Sequence, residues 1–236
     1  MNRHVLLLSL WTLVIPTLCW AQQEKEKPPV EAAPSSSEHV MPQHSFADVE
    51  RWVRIFDSEE RDDWQMPDRV VSSLGVGPGV VVADLGAGTG YFTMHLARAV
   101  SPGGRVLAID TEPNLVEYLG QRAEHEGVQG VEPVLASPED PRIPAGVAFR
   151  VLVVNTYHHI GHRTDYMRRL QASLADGGQV VVIDFYKRSL PVGPPVEQKL
   201  SRDEVVAEFQ KAGYQLVAEE EFLPYQYFLS FAPTGE

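Results

Sequence analysis

Residues 80–91 read Val-Val-Val-Ala-Asp-Leu-Gly-Ala-Gly-Thr-Gly-Tyr. An apolar run interrupted only by Asp84 enters three glycines at alternate positions, and a helical pattern starts at Tyr91. A short apolar run bounded by turn residues is the pattern of a strand buried on both faces. Strands of that kind belong to parallel sheets, whose crossovers cover both faces with helices. This one segment therefore points to an α/β architecture. It also predicts a tight turn at the end of the first strand, where the glycines let the backbone approach a ligand closely.

The rest of the chain repeats the alternation. Residues 105–110, 132–135, 151–155 and 179–184 read as further strands. Helices are predicted over 91–100, 113–126 and 163–175, the last stopped by Asp176-Gly177-Gly178. Ser201 and Glu204 make a capping box for a helix that runs to Ala212, with Gly213 at its C-terminal end. Residues 214–221 and 225–231 are two closing strands with no helix between them, so they are antiparallel. Ahead of the first strand, Phe46, Val49, Trp52, Val53 and Phe56 recur at helical spacing, and a second short helix is expected over 67–74. The expected fold is a mostly parallel α/β sheet with helices on both faces.

The N-terminal part has a different composition. Arg3 and His4 precede an uncharged stretch over 5–20, and Cys19-Trp20-Ala21 places small residues at −3 and −1 of a cleavage site. That is the layout of a secretory signal peptide over 1–21. An uncleaved membrane anchor is the alternative, although the apolar run falls short of the roughly 20 residues that span a bilayer. Residues 22–45 are rich in Pro, Ser and alternating charge, and read as a disordered linker. The globular part is then 46–236. The expected location is the periplasm or cell envelope.

Twenty Lys and Arg against 32 Asp and Glu give a net charge of −12. A nucleic-acid partner is not expected from that balance, since phosphate binding depends on clustered Lys and Arg. Cys19 is the single cysteine, which excludes a disulfide framework and a Cys-based zinc site. No metal is expected.

Two ligands compete for the glycine loop. A dinucleotide fold wants a third glycine at position 91, which is Tyr91. It also delivers a pyrophosphate, which Asp84 would repel. An acid at that position suits a cationic ligand without phosphate, and S-adenosylmethionine has both an ammonium and a sulfonium. Asp110 ends the second strand, where an acid accepts hydrogen bonds from ribose hydroxyls.

Asp84-Leu-Gly-Ala-Gly-Thr-Gly90 resembles motif I of the class I S-adenosylmethionine-dependent methyltransferases, and Asp110 falls where that superfamily has its ribose-binding acid. Leu174-Ala-Asp-Gly-Gly178 with the following strand, and Asn155-Thr-Tyr-His-His-Ile160, resemble its later segments. The resemblance covers roughly residues 70–231. It extends to a bacterial subgroup of small, often exported methyltransferase-like proteins through Asp62-Asp63-Trp64-Gln65-Met66-Pro67, residues 191–195 and Leu223-Pro-Tyr-Gln-Tyr227. It implies a Rossmann-like seven-stranded sheet in the order 3-2-1-4-5-7-6, with the last strand antiparallel. It implies a cofactor site of Asp84, Gly86, Ala87, Gly88, Gly90, Asp110, Ser137 and Asn155. One departure is Ser137-Pro138, where many relatives have an Asp-Ala that meets the adenine.

Methyl transfer needs an aligned nucleophile, and an oxygen or nitrogen acceptor can need a base. His158 and His159, just past the fourth strand, are the candidate catalytic residues, and their ordinary pKa near 6.5 suits that task. The competing reading has one capping the next turn and the other packing near the adenosine. Trp64, Tyr157, Tyr225 and Tyr227 are candidate pocket residues, with core packing as their alternative; Tyr225 and Tyr227 should face one side by strand alternation. The function expected is methyl transfer to a small-molecule acceptor that no motif identifies. A non-catalytic binding or scaffold protein on the same fold, and aminopropyl transfer, are the alternatives.

Overall fold

The computed structural model describes residues 48–58 and 60–235. The expected signal peptide, the linker and Phe46 lie outside the described residues. The strands are β1 (Val81–Leu85), β2 (Arg105–Asp110), β3 (Val131–Leu135), β4 (Ala148–Val154), β5 (Leu174–Phe185), β6 (Tyr214–Glu220) and β7 (Gln226–Pro233). They form one sheet in the order β3-β2-β1-β4-β5-β7-β6. The pairs are parallel from β3 to β5, and β7 runs antiparallel to both β5 and β6. This is the expected order.

Successive side chains of the central strands enter opposite cores, which is why their sequences read as continuous apolar runs. Val82, Val106, Leu152, Val181, Ile183 and Phe228 pack on one face with Val70 of α3 (Pro67–Ser73) and Phe92 and Leu96 of α4 (Tyr91–Val100). Ala83, Leu107, Val151, Val153, Val182 and Leu229 pack on the other, with Met167 and Leu170 of α6 (Arg163–Leu170) and Val205 and Phe209 of α7 (Arg202–Lys211). The helix α5 (Pro113–His125) crosses between β2 and β3. The capping box of Ser201 and Glu204 starts α7, as expected.

Two boundaries differ from the expectation. The α6 helix ends at Leu170, a short 3-10 turn covers Gln171–Ser173, and β5 already begins at Leu174. Leu174 pairs with Ala148, after which the register shifts so that Gln179 pairs with Arg150. Gly177, at φ +70°, carries the chain through that irregularity, and a Cβ on Gly178 would meet the carbonyl oxygens of Ala175 and Ala148. Asp176-Gly177-Gly178 is thus a bulge within the strand, not a helix stop. The second difference lies ahead of the sheet. The expected first helix is α1 (Val49–Phe56), but an additional short helix, α2 (Glu60–Gln65), stands between it and α3, and both meet the C-terminal ends of the strands.

Candidate active site

Ligands of open α/β sheets sit beyond the carboxyl ends of the strands. At the end of β1 the buried carboxylate of Asp84 accepts a hydrogen bond from Thr93 Oγ1 at 2.6 Å. Burial raises the Asp84 pKa to about 6, while the Thr93 bond and the nearby Arg61 guanidinium pull it back. The loop that follows is stitched to β2. The N–H groups of Gly86 and Ala87 both donate to the carbonyl of Ile109, at 2.8 and 2.9 Å. The N–H of Gly88 donates to Asp110 Oδ2 at 2.8 Å, and Glu112 N–H donates to Asp110 Oδ1 at 3.1 Å. Burial also raises the Asp110 pKa, against these backbone bonds.

The glycines serve different neighbours. Gly86 has φ +79°, and the place of its missing Cβ is taken by the side chain of Thr156, which follows β4. Gly88, at φ +57°, faces the ring of Phe56 from α1. Gly90 is the left-handed N-cap of α4. Thr89 is buried, and its Oγ1 has no hydrogen-bond partner among the described residues. A buried acid, left-handed glycines, an orphaned hydroxyl and a ribose-type acid fit a ligand with a cationic amino-acid end and an adenosine. Ser137 stands next to the bond from Ala136 N–H to the Asp110 carbonyl, and its Oγ accepts from the N–H groups of Glu139 and Asp140 in a tight turn.

The ends of β4 and β5 form the second half of the site. His158 lies on a 3-10 turn (Tyr157–His159) and is only 5 % exposed. Its Nδ1 is 2.8 Å from Oδ2 of Asp184, which is 1 % exposed near the end of β5. The other carboxylate oxygen of Asp184 accepts from Phe185 N–H at 2.8 Å. His159 is exposed, and its ring lies 4.1 Å from that of His158. Asn155, in a left-handed conformation at φ +54°, accepts from Gln226 Nε2 at 2.5 Å. Gln226 Oε1 accepts from Gln65 Nε2 at 2.6 Å, and Gln65 Oε1 from Arg61 Nε at 3.0 Å. Both glutamines are fully buried, so this amide chain ties α2 to the last strand and to the end of β4.

The lead-in helices close over the loop. The Arg61 guanidinium sits 3.9 Å from the centre of the Tyr91 ring, and its burial lowers its pKa to about 10. The Tyr91 hydroxyl donates to Asp62. Arg122 of α5 donates to both Asp57 and the Thr89 carbonyl at 3.0 Å. Trp64 is half-buried, with Phe185 at 5.8 Å and Tyr225 at 6.2 Å between ring centres.

Two expected pocket residues are core residues instead. Tyr157 is fully buried against Phe209, and its hydroxyl donates to Glu208. Tyr227 is fully buried in the core beneath β5 and β7. Tyr225 precedes β7, so strand alternation does not reach it, and it lies beside Trp64 while Tyr227 points inward. No sequence reading gives Asp184 or Thr156 a role, and Gln65 and Gln226 stand only within stretches that carry the resemblance. For Asp184 a signal existed: it is an acid ending an otherwise apolar strand, as Asp84 and Asp110 are.

A family model described as a methyltransferase domain matches residues 82–178. That stretch runs from β1 into β5 and carries the glycine loop, Asp110 and Asn155. A protein-L-isoaspartate O-methyltransferase of Aeropyrum pernix is 32% identical over 133 residues, 56% of this chain and 46% of that protein. A ubiquinone/menaquinone biosynthesis C-methyltransferase UbiE of Hydrogenovibrio crunogenus is 29% identical over 119 residues, 50% of this chain and 47% of that protein. The chain thus spans just under half the length of these two relatives. The methyltransferase fold is shared with the crystal structure of an S-adenosylmethionine-dependent methyltransferase from Aquifex aeolicus, at a TM-score of 0.74 and 23% identity, over 78% of this chain and 97% of that one.

Proposed function

We propose that the protein is an S-adenosylmethionine-dependent methyltransferase acting on a small-molecule acceptor. The observation that carries this reading is the pairing of the buried Asp84 with the half-buried Asp110, on either side of a glycine loop whose Gly88 N–H is bonded to Asp110. Asp84 and the loop residues Gly86, Ala87, Gly88, Thr89 and Gly90 hold the amino-acid end, and Asp110 takes the ribose hydroxyls. Ser137 lines the adenine end, and Asn155 borders the methionine side. The bound cofactor supplies a methyl carbon already activated by its sulfonium. The chain's own task is alignment and exclusion of water. Phe56 over Gly88, and Trp64 over the ends of β5 and β7, provide the cover. The names of the UbiE relatives, which refer to quinone biosynthesis, support a small acceptor. The sequence of residues 1–21 supports export to the cell envelope.

Calorimetric titration with S-adenosylmethionine and S-adenosylhomocysteine tests the reading. Both should bind, and Asp110→Ala should weaken binding by roughly 1.5–3 kcal/mol, the range for a hydrogen bond to a charged group. A chain that binds neither ligand is not a methyltransferase of this kind.

A further inference from the structure

We propose that His158 is the general base for transfer to a phenolic hydroxyl, with Asp184 as its positioning residue. The inference rests on the methyltransferase reading above and specifies its acceptor.

The Asp184 carboxylate is held at both oxygens, by Phe185 N–H and by the His158 ring. A carboxylate accepts hydrogen bonds, so the contact directs the Nδ1 proton at Asp184 and leaves Nε2 as the ring nitrogen turned away from it. Both side chains are almost fully buried, which fixes the ring in one orientation. The other titratable groups around this pair are His159 on the same turn, the Tyr227 hydroxyl of β7, and Lys199 from the segment after β5.

An imidazole held in one orientation serves an acceptor that must lose a proton. A carboxylate acceptor arrives already ionised. An aliphatic hydroxyl is about as weak an acid as water, near 15.7, and lies far beyond an imidazole of about 6.5. A phenol at about 10 is within reach, as are a thiol at about 8.5 and an ammonium at about 10.4, and it is the aromatic surroundings that single out the phenol. The rings nearby suit the same acceptor. Phe185 follows Asp184 at the same end of β5, on the other face by strand alternation, and with Trp64 and Tyr225 it forms an aromatic group at centroid separations where rings stack or meet edge to face. Trp64 and Tyr225 are only half-buried, so a planar guest can lie against them.

In the step, a lone pair of the phenolic oxygen forms the bond to the methyl carbon while the O–H proton passes to His158 Nε2. The carbon–sulfur bond breaks with its electron pair kept by sulfur. The products are an aryl methyl ether, S-adenosylhomocysteine and an imidazolium whose charge faces Asp184. That proton then returns to solvent.

The test uses the full chain, methyl-labelled S-adenosylmethionine, and phenol, catechol and hydroquinone as acceptors. Wild type should label at least one of them. His158→Gln should lower kcat by about 10²–10⁴-fold with KM little changed, the range for loss of a general base. Asp184→Asn should lower kcat and move the acid limb of the pH profile, with partial recovery in Asp184→Glu. Nitrogen NMR of histidine-labelled protein gives a readout independent of turnover: His158 should hold its proton on Nδ1 in wild type and lose that fixed tautomer in Asp184→Asn. Wild-type protein that binds S-adenosylmethionine but labels none of the three acceptors overturns this inference and leaves the methyltransferase reading standing. Absence of cofactor binding overturns both. An Asp184→Asn or Asp184→Glu chain with wild-type kcat and an unchanged tautomer removes Asp184 from its role.

Discussion

Asp84 and Thr93 share a 2.6 Å hydrogen bond in which both side chains are sealed from solvent. Thr93 belongs to the first turn of α4, so the bond fastens the end of β1 to the helix that the glycine loop leads into. The loop is therefore anchored on both sides, with its acid in a poorly solvated place.

That burial predicts a pH dependence with a definite sign. The folded-state pKa of Asp84, about 6, lies above its ordinary 3.8. Between these values the native chain holds a proton that the unfolded chain has released. The stability linked to it is complete below pH 4 and is lost as pH rises through 6. Asp84→Asn should abolish this slope, so the variant gains on the order of 2–3 kcal/mol relative to wild type between pH 4 and 7. Urea unfolding at several pH values measures it. A cationic ligand favours the ionised acid, so S-adenosylmethionine should bind more tightly as pH rises through 6, releasing a proton detectable by calorimetry in buffers of different ionisation enthalpy.

Gly86→Ala should destabilise the fold by roughly 2–4 kcal/mol, combining a left-handed backbone with overpacking. The clash is with Thr156, so Thr156→Ala should relieve part of the cost but not the share due to φ +79°. Denaturant midpoints of the three variants separate the two contributions.

The amide chain predicts non-additivity. Gln226→Met leaves Gln65 Nε2 and Asn155 Oδ1 without their partner, and each buried group left unpaired costs about 1–3 kcal/mol. Gln65→Met should cost a similar amount through Gln226. The double variant should be more stable than the sum of the two losses, because the shared bond is then removed from both sides. A double-mutant cycle by chemical unfolding decides this. Additive losses would mean the glutamines do not couple.

The two buried tyrosines should respond in opposite ways. Tyr157→Phe removes a hydrogen bond to Glu208 and should cost about 1 kcal/mol. The Tyr227 hydroxyl is buried with no hydrogen-bond partner among the described residues, so Tyr227→Phe should be neutral or stabilising. Neither substitution should change affinity for S-adenosylmethionine. Thermal unfolding and ligand titration of both variants test the core assignment.

The strands were legible because each is an apolar run with its own turn signals, and the antiparallel closing pair because no helix lies between the last two; the sheet order followed only from the resemblance to the methyltransferases. The glycine-loop half of the candidate site was legible because Asp84, the glycines and Asp110 form one local strand–turn–helix–strand unit. The pairings in the other half were not. His158 and Asp184 lie 26 positions apart, Asn155 and Gln226 71, and Gln65 and Gln226 161, so no local pattern announces these pairs. Tyr225 was placed with Tyr227 because alternation was extended one residue beyond the start of β7. The α6 boundary was overrun because Gly177 and Gly178 resemble a helix stop, although here they shape a bulge.

The chain Arg61–Gln65–Gln226–Asn155 also sets the limits of what can be moved or exchanged. The stretch that matches the methyltransferase domain, residues 82–178, contains Asn155 but neither glutamine. Grafting that stretch alone into another scaffold would strand a buried amide at the mouth of the site. The portable unit instead runs from α2 through β7, and any hybrid joined inside it must supply its own partner for Asn155.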